Sequence, residues 1–304
     1  MFRSTYLLLF FYCPVFADTF STTLGECNLE IYGGQVNDIP EFVKLIKDET
    51  KKLTQEFGQV QLIPFSIYIT SNMDDFNEKA KGPVPEWGIA VAKMKPDRII
   101  MKAPGIANIS FTRMKEVVIH ELNHIYMFRV PNYNTIPSWF MEGMAMLSSN
   151  EFSLLHKIEI SRFIWKEQII PLSRLRNITP YSRNRVKLAY GESAAAVEAL
   201  KYYYGNDILI NIITNLHHTR NMEEAMELAI GETIEDFQIK FELYLETNYN
   251  WIFLLTASKY IYVILPLILV LGFIYHRYRS NIILRKWAIE EELENIEWNK
   301  ESPN

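Results

Sequence analysis

The chain has 304 residues, 49% of them hydrophobic, so it is long enough to bury a sizeable core. Its net charge of −5, with no basic patch interleaved with aromatic residues, argues against nucleic acid as a partner. Cys13 and Cys27 are its two cysteines. No internal disulfide remains if the first of them is removed with a leader, and the fold must then depend on its own core.

The first 17 residues have the composition of a secretory signal peptide. Arg3 precedes an apolar run at residues 6–11, and Ala17 is the small residue after which cleavage is expected. The alternative is an uncleaved anchor, although the apolar run is short for a membrane span. Cleavage after Ala17 predicts an exported region that covers residues 18–250.

The beginning of the exported region predicts a small sheet-containing lobe, residues 18–108. A helix is predicted at residues 39–57 from its apolar period, and a short polar helix near Asp74. Four runs have the composition of strands: residues 28–32, 64–70, 88–92 and 98–102. The last two are expected to pair, because a Lys-Pro-Asp turn lies between them.

From Phe111 onward the apolar period is helical. Helices are predicted at residues 111–129, 138–149, 152–166, 187–204, 206–217, 221–230 and 233–249. Gly205 and Gly231 fall at helix ends, where a residue tolerant of positive φ is needed. The expected fold class is therefore α+β: a small N-terminal sheet lobe, then a mainly α-helical lobe at residues 109–250. A functional site is expected in the cleft between the lobes.

His120 and His124 stand four residues apart in the first of these helices. This spacing places both imidazoles on one helical face, about 6 Å apart at Cβ, which suits two ligands of one tetrahedral ion. Glu121 lies about 100° around the helix from His120, where it can reach a water molecule at the metal without binding the metal itself. Two histidines flanking a glutamate would be costly to bury without a cation, so the pattern predicts Zn²⁺.

Glu142 is the expected third ligand. It follows His124 by 18 positions, which leaves room for one turn between antiparallel helices, and it stands among apolar residues in a helix that Ser138 can cap. Taken alone, Glu142 would be read as a surface carboxylate. Beside the histidine pair, it completes the two-histidine, one-carboxylate set of a catalytic zinc site.

The sequence HELNH at residues 120–124, followed by PSWFMEGMA at 137–145, resembles the gluzincin metallopeptidases, and most closely the peptidase MA-like family. The resemblance extends over about residues 39–250. It implies that His120, His124 and Glu142 bind zinc and that Glu121 is the general base of peptide-bond hydrolysis.

Two further segments match the family. Residues 88–90 correspond to an edge strand that pairs with extended substrate in relatives, and residues 189–193 (AYGES) correspond to a segment whose tyrosine often lies near the metal. The resemblance thus suggests that Tyr190 stabilises the oxyanion of the reaction. A purely structural tyrosine is the alternative.

One position departs from the family pattern. Relatives often carry an acidic residue four positions after the ligand glutamate, where it orients the first histidine, but here that position is Met146. Another acceptor is therefore required, and Glu116, one turn before His120, is a candidate. The other three histidines of the helical lobe are expected to be solvated or structural: His156, His217 and His218.

A membrane span is predicted at residues 256–275, around the apolar run YIYVILPLILVLGFIY. The alternative is a buried helix of the soluble region. Basic residues follow the run directly, and such clusters remain in the cytoplasm: His276, Arg277, Arg279, Arg285 and Lys286. These features predict a single-pass membrane protein with an extracytoplasmic catalytic domain. The tail, residues 276–304, is then cytoplasmic, and its acidic run at 290–297 is expected to form a solvated amphipathic helix.

The sequence therefore predicts a membrane-anchored, zinc-dependent metallopeptidase that acts on peptide or protein substrates. The main alternative is a non-proteolytic zinc-binding membrane protein that uses the same fold as a binding or assembly module. The retained carboxylate of Glu121 argues against this alternative, because structure alone would not require it. Chance similarity in a helical, adhesin-like domain is a further alternative, which bound zinc would exclude.

Overall fold

The computed structural model describes residues 19–24, 27–33, 39–58, 64–82, 84, 88–178, 183–253 and 258–301. The predicted signal peptide lies outside these residues. The chain divides into two compact units, with the first ending at Asn250 and the second beginning at Trp251.

The sheet of the first unit has the strand order β1-β2-β3-β5-β4. Its strands are β1 (Thr19–Leu24), β2 (Cys27–Tyr32), β3 (Phe65–Thr70), β4 (Ala90–Lys93) and β5 (Arg98–Lys102). The β2-β3 and β3-β5 pairs are parallel, whereas β1-β2 and β4-β5 are antiparallel. The predicted pairing of the last two strands is confirmed. Strand β1 was not predicted, because its sequence TFSTTL has little apolar alternation.

Two helices pack in the sheet lobe. Helix α1 (Ile39–Phe57) buries Phe42, Ile46 and Leu53, which recur at helical spacing, and it packs against helices of the following lobe. Helix α2 (Met73–Ala80) begins at the cap Asn72, whose side chain accepts a hydrogen bond from the N–H of Asp75. Its buried face contacts Ile100 of β5. Helix α2 thus supports the sheet, in which β4 is an edge strand.

The helical lobe follows a short helix α3 (Pro104–Ala107). Its helices are α4 (Phe111–Met127), α5 (Ser138–Ser148), α6 (Leu154–Ile164), α7 (Arg183–Tyr204), α8 (Ile208–Leu216), α9 (Met222–Ile230) and α10 (Ile234–Tyr249). Each was predicted, with ends that differ by a few residues. Gly205 and Gly231 have φ values of +90° and +74°, as expected for helix ends. The predicted α+β architecture is confirmed.

Side-chain bonds connect the two lobes. The hydroxyl of Tyr126 on α4 donates to the carbonyl oxygen of Thr50 on α1 at 2.8 Å and lies 2.7 Å from the hydroxyl of Thr54. Asp97, in the turn between β4 and β5, is buried and forms an ion pair with Arg129 just beyond α4. These contacts hold α4 against both α1 and the edge of the sheet, so the helix that carries the histidine pair has a fixed position.

The described part of the second unit includes the helix α11 (Ser258–Glu301), of 44 residues. The stretch Tyr262–Leu293 is long and apolar enough to cross a membrane, judged by length and composition alone. Pro266 lies inside the helix without ending it. The helix continues past the predicted end of the span at residue 275 through the basic cluster and the acidic run. The expected helical conformation of the acidic run is therefore confirmed.

Candidate metal centre

Helix α4 presents His120, Glu121 and His124 at a cavity. The helix begins at Ser110, whose hydroxyl caps the N–H of Arg113, and Val118, Leu122 and Ile125 are buried on its packed side. The imidazoles are 16% and 13% exposed, so both rings border solvent at their tips. Their ring centroids lie 4.9 Å apart. The four-residue spacing thus places both rings on one face, as the sequence predicted.

Glu142 on α5 completes a group of three donors. Its Oε2 lies 3.3 Å from Nε2 of His120 and 3.6 Å from Nε2 of His124, and the ligand atoms of the three residues lie within 4.8 Å of one another. Ligands about 2.0–2.1 Å from a tetrahedral zinc ion are separated by about 3.3–3.4 Å. The two distances lie at or slightly above this separation and exceed the about 2.7–2.9 Å of a charged hydrogen bond. The donor set therefore fits Zn²⁺.

The charges of this group stabilise one another. Burial opposes ionisation of Glu142, but His124 and His120 outweigh it and hold the pKa of Glu142 well below its usual range. Burial also opposes protonation of His120, but the neighbouring carboxylates of Glu142 and Glu151 outweigh it, so the pKa of His120 is raised. Each imidazole thus faces a carboxylate that is anionic and able to bind a cation.

Close packing positions Glu142. Trp139 and Phe140 of α5 are fully buried, and Gly143 directly follows the ligand. A Cβ atom at Gly143 would lie 2.3 Å from the carbonyl oxygen of Ser193 and 2.6 Å from a methyl group of Val197, both on α7. Glycine therefore allows α5 and α7 to approach closely, and this approach sets the depth at which Glu142 enters the site.

Glu121 lies beside the metal group without belonging to it. Its carboxylate is nearly buried and accepts a hydrogen bond from the backbone N–H of Ala92 on β4. Burial raises the pKa of Glu121, while the positive charges of His124 and His120 act in the opposite direction. The sheet edge thus orients this carboxylate toward the cavity.

Tyr190 on α7 lies close to the same carboxylates. The negative charge of Glu142 is the largest cause that raises the pKa of its phenol, followed by burial and by the charges of Glu121 and Glu151. Its hydroxyl therefore stays protonated and can donate a hydrogen bond into the cavity.

The cavity has a volume of about 720 Å³. Residues 88–92 form one wall, and apolar side chains from several elements form others: Val84, Val117, Phe128, Met141 and Met146. The N–H of Lys102 donates to the carbonyl oxygen of Ile89. Because backbone groups alternate in direction along an antiparallel strand, those of Ala90 and Ala92 point away from β5. The outer edge of β4 therefore faces the space beside Glu121.

The sequence matches the Peptidase MA superfamily over residues 46–247, which is more than half of the chain and includes all the residues that line the cavity. The chain belongs to this superfamily. The expected resemblance to gluzincin metallopeptidases is confirmed.

Solved structures with a similar fold include M1 zinc metallopeptidases. An M1 zinc metallopeptidase from Deinococcus radiodurans is 14% identical, with 75% of this chain and 51% of that chain covered and a TM-score of 0.46. A two-domain M1 zinc metallopeptidase variant bound to L-arginine is 13% identical, with the same coverage and a TM-score of 0.43. The chain thus spans about half the length of these proteins. No curated protein sequence matches.

The acceptor that orients His120 is Glu151, a residue that the sequence analysis missed. Its Oε2 lies 2.5 Å from Nδ1 of His120, and its Oε1 lies 2.5 Å from a guanidinium nitrogen of Arg113. Glu116, the predicted substitute, instead binds Arg113 at 2.9 Å. The prediction of Glu116 was therefore wrong, because its side chain turns toward Arg113 rather than along the helix to His120.

The sequence contains a weak signal for Glu151, because Asn150 just before it is a residue type that tolerates positive φ in a turn. The residue lies just after α5, where Asn150 has a φ of +60° and turns the chain back toward α4. Ser149 donates a hydrogen bond to Glu151 at 2.9 Å and fixes the carboxylate. In this member of the Peptidase MA superfamily, the turn after α5 thus supplies the carboxylate that relatives often carry at the position of Met146.

The remaining histidines of the helical lobe lie outside the donor group. His156 lines the cavity. Its Nδ1 lies 3.1 Å from the hydroxyl of Ser153, the N-cap residue of α6, so the ring takes part in capping that helix. His217 is the C-cap residue of α8, and His218 follows it.

Proposed function

We propose that this chain is a membrane-anchored zinc metallopeptidase that hydrolyses peptide bonds. The observation that carries the proposal is the convergence of His120, His124 and Glu142 at tetrahedral ligand distances, with Glu121 beside them and an edge strand along the cavity. Membership of the Peptidase MA superfamily supports this chemistry.

The three ligands would hold one zinc ion and leave the side facing the cavity open. When bound, the ion supplies Lewis acidity toward a water molecule and toward the carbonyl of the substrate. Glu151 holds His120 in one tautomer by accepting a hydrogen bond from its Nδ1–H, which leaves Nε2 free to bind the metal. Arg113 neutralises part of the charge of Glu151.

Glu121 acts as the general base and then as the general acid. Its carboxylate takes a proton from the attacking water and passes it to the amine that leaves when the peptide bond breaks. The hydrogen bond from Ala92 keeps the carboxylate oriented toward the reacting atoms.

Two groups complete the proposed site. The phenol of Tyr190 donates a hydrogen bond to the oxygen that becomes negative during attack. The outward backbone groups of Ala90 pair with an extended substrate, since an edge strand offers unsatisfied N–H and C=O groups to an added strand. The apolar side chains of the cavity then accept the substrate side chains.

The predicted topology belongs to this proposal. Residues 1–17 direct export, residues 18–250 form the extracytoplasmic peptidase domain, and residues 256–275 cross the membrane. The basic residues that follow keep residues 276–304 in the cytoplasm.

The test compares the wild type with Glu121→Gln, using the full chain purified in detergent. Zinc content is measured by elemental analysis, and cleavage of a mixed peptide library is measured on the same samples. Glu116→Gln is the matched control, because Glu116 lies on the same helix and lines the same cavity.

One zinc per chain in all three proteins, with cleavage lost only in Glu121→Gln, is the expected result. Zinc without cleavage in any protein would favour the binding or assembly module. Absence of zinc from all of them would refute the metal site.

A further inference from the structure

Helix α6 carries apolar side chains on its exposed side. Leu154 and Leu155 are 55% and 75% exposed, and Trp165, at the C-cap, is 60% exposed. At about 100° per residue, these positions share one side of the helix with Ile158 and Arg162. Helices of soluble domains usually turn this kind of side inward. We name the side formed by these five residues the outer face of α6.

The opposite side of α6 is the one that packs in the core. On that side Ile160 is fully buried, and the helix contacts α7 and α10. The helix is therefore held firmly by its inner side, and the exposure of the outer face does not result from poor packing of the helix.

The C-terminal end of α6 is attached to the end of the first unit. The indole N–H of Trp165 and the hydroxyl of Ser161 both donate to the carbonyl oxygen of Asn250, at 2.7 and 3.2 Å. Only residues 251–257 separate Asn250 from the first residue of α11, Ser258. The segment that is bonded to the end of α6 therefore directly precedes the predicted membrane span in the sequence.

The composition of the outer face suits the surface of a bilayer. Leucine side chains enter the boundary between headgroups and acyl chains, and a tryptophan ring favours the headgroup level. Arg162 stands among these apolar residues and Lys166 follows Trp165, both exposed, where their long side chains can reach lipid phosphates. These features favour a lipid surface over a protein partner.

The N-terminal end of α6 borders the metal cavity. Ser153, its N-cap residue, and His156, in its first turn, both line the cavity that contains His120 and Glu121. An α6 that lies along a bilayer would therefore bring the cavity close to the membrane surface, because the helix is only about 16 Å long.

We propose that the outer face of α6 rests on the lipid surface of the membrane that α11 anchors, and that this contact presents the metal cavity to polypeptide segments next to the bilayer. The proposal rests on the proposed function for the anchor and for the peptide substrate. The lipid contact itself requires no catalysis, so it can be measured separately.

The lipid contact is measured on the full chain reconstituted into vesicles of phosphatidylethanolamine and phosphatidylglycerol. Both native cysteines are replaced by serine, and a nitroxide label is attached at Leu155→Cys, Leu228→Cys or Val270→Cys. Leu228, on α9, is the matched control because it is a leucine with 69% exposure, and Val270 reports on the span. Collisions of each label with oxygen, which enters lipid, are compared with collisions with a water-soluble nickel chelate.

Labels at positions 155 and 270 are expected to favour oxygen, whereas the label at 228 favours the nickel chelate. A label at 155 that behaves like the one at 228 overturns the inference and leaves the anchor intact. A label at 155 that is shielded from both reagents indicates a protein contact and also overturns it. A label at 270 that favours the nickel chelate refutes the anchor itself.

The second part of the proposal, that the cavity acts on polypeptide next to the bilayer, is tested by cleavage rates. One cleavable peptide is linked to lipid by a short or a long spacer, and the same peptide is also supplied free in solution. The wild type is expected to prefer the short spacer, and Leu155→Asp to lose this preference while cleaving the free peptide at the wild-type rate. A preference unchanged in Leu155→Asp would refute the substrate part. Absence of all cleavage by the wild type would refute the proposed function instead.

Discussion

Glu151 lies between a histidine and an arginine, and both neighbours hold it as an anion. Burial acts against its ionisation, but the hydrogen bond to His120, the charge of Arg113 and the hydrogen bond from Ser149 lower the pKa of Glu151 to about 2. The carboxylate therefore remains charged throughout the neutral range. It can accept a hydrogen bond from the Nδ1–H of His120 and thereby raise the basicity of Nε2, which faces the candidate metal group.

Replacement of Glu151 by alanine is expected to weaken zinc binding by about 10–100-fold, because His120 loses its fixed tautomer and orientation. The affinity is measured by competition with a zinc chelator. Glu116→Ala is the matched control, since both carboxylates bind Arg113 and only Glu151 contacts His120. Equal losses in the two variants would show that the effect comes from Arg113.

Glu192 on α7 is a carboxyl group whose pKa is set mainly by burial. The side chain is fully buried, and both oxygens accept from the N–H of Ile170, at 3.3 and 3.1 Å. Burial raises the pKa of Glu192 well above its usual range, against the opposing effects of that hydrogen bond and of Arg185.

Because the folded chain holds this proton more tightly than the unfolded chain, the free energy of unfolding falls as pH rises from the ordinary glutamate pKa to the raised one. Glu192→Gln has no proton to lose there and keeps an acceptor oxygen. Its stability relative to the wild type is therefore expected to increase between pH 5 and pH 8, measured by urea unfolding. Glu246→Gln, which removes an exposed carboxylate, is the control, and a difference that stays constant with pH would contradict the expectation.

At the scale of elements, the contact between α5 and α7 decides the geometry of the metal group. Gly143 permits the close approach, and the buried residues Ser193 and Val197 of α7 lie across from it. The ligand Glu142 and the phenol of Tyr190 are carried by these two helices. A change in their separation would therefore move the proposed metal ligand and the proposed oxyanion donor relative to each other.

Gly143→Ala is expected to destabilise the fold by about 1–3 kcal/mol, because the added methyl group overlaps a backbone oxygen that cannot move alone. Zinc affinity is expected to fall with stability, since Glu142 is displaced. Both are measured by urea unfolding and chelator competition. Gly191→Ala is the matched control, because its added Cβ would have neighbours no closer than 3.5 Å. A Gly143→Ala variant as stable as this control would contradict the close packing.

At the scale of the whole molecule, the proposed function gives the two units different roles. The first contains the candidate metal centre, and the described part of the second includes the helix α11. Its apolar stretch is long enough to cross a membrane, judged by length and composition alone, and the proposed function assigns it to the anchor.

The proposed topology predicts that the two units face opposite sides of a membrane. In intact cells, a membrane-impermeant maleimide is expected to label Leu228→Cys, and to label Ser302→Cys only after the cells are permeabilised. Both variants are made in the serine background used above, which controls for native cysteines. Labelling of Ser302→Cys in intact cells would invert or exclude the predicted orientation.

The sequence by itself predicted the parts of this protein that depend on local geometry. The period of an α-helix places residues four apart on one face, so His120 and His124 could be paired before any fold was known. The helices of the second lobe were predicted from the same period, and the apolar stretch of α11 from the length of its uninterrupted apolar run.

Only the tertiary structure decided what depends on distances between elements. The hydrogen bond from His120 to Glu151 joins residues far apart in sequence through a turn at Asn150, and the hydrogen bond from Ala92 to Glu121 joins a strand to a helix. The close approach at Gly143 and the pairing of β1 belong to the same class. No periodic pattern specifies such contacts, because they arise from how side chains of different elements pack together.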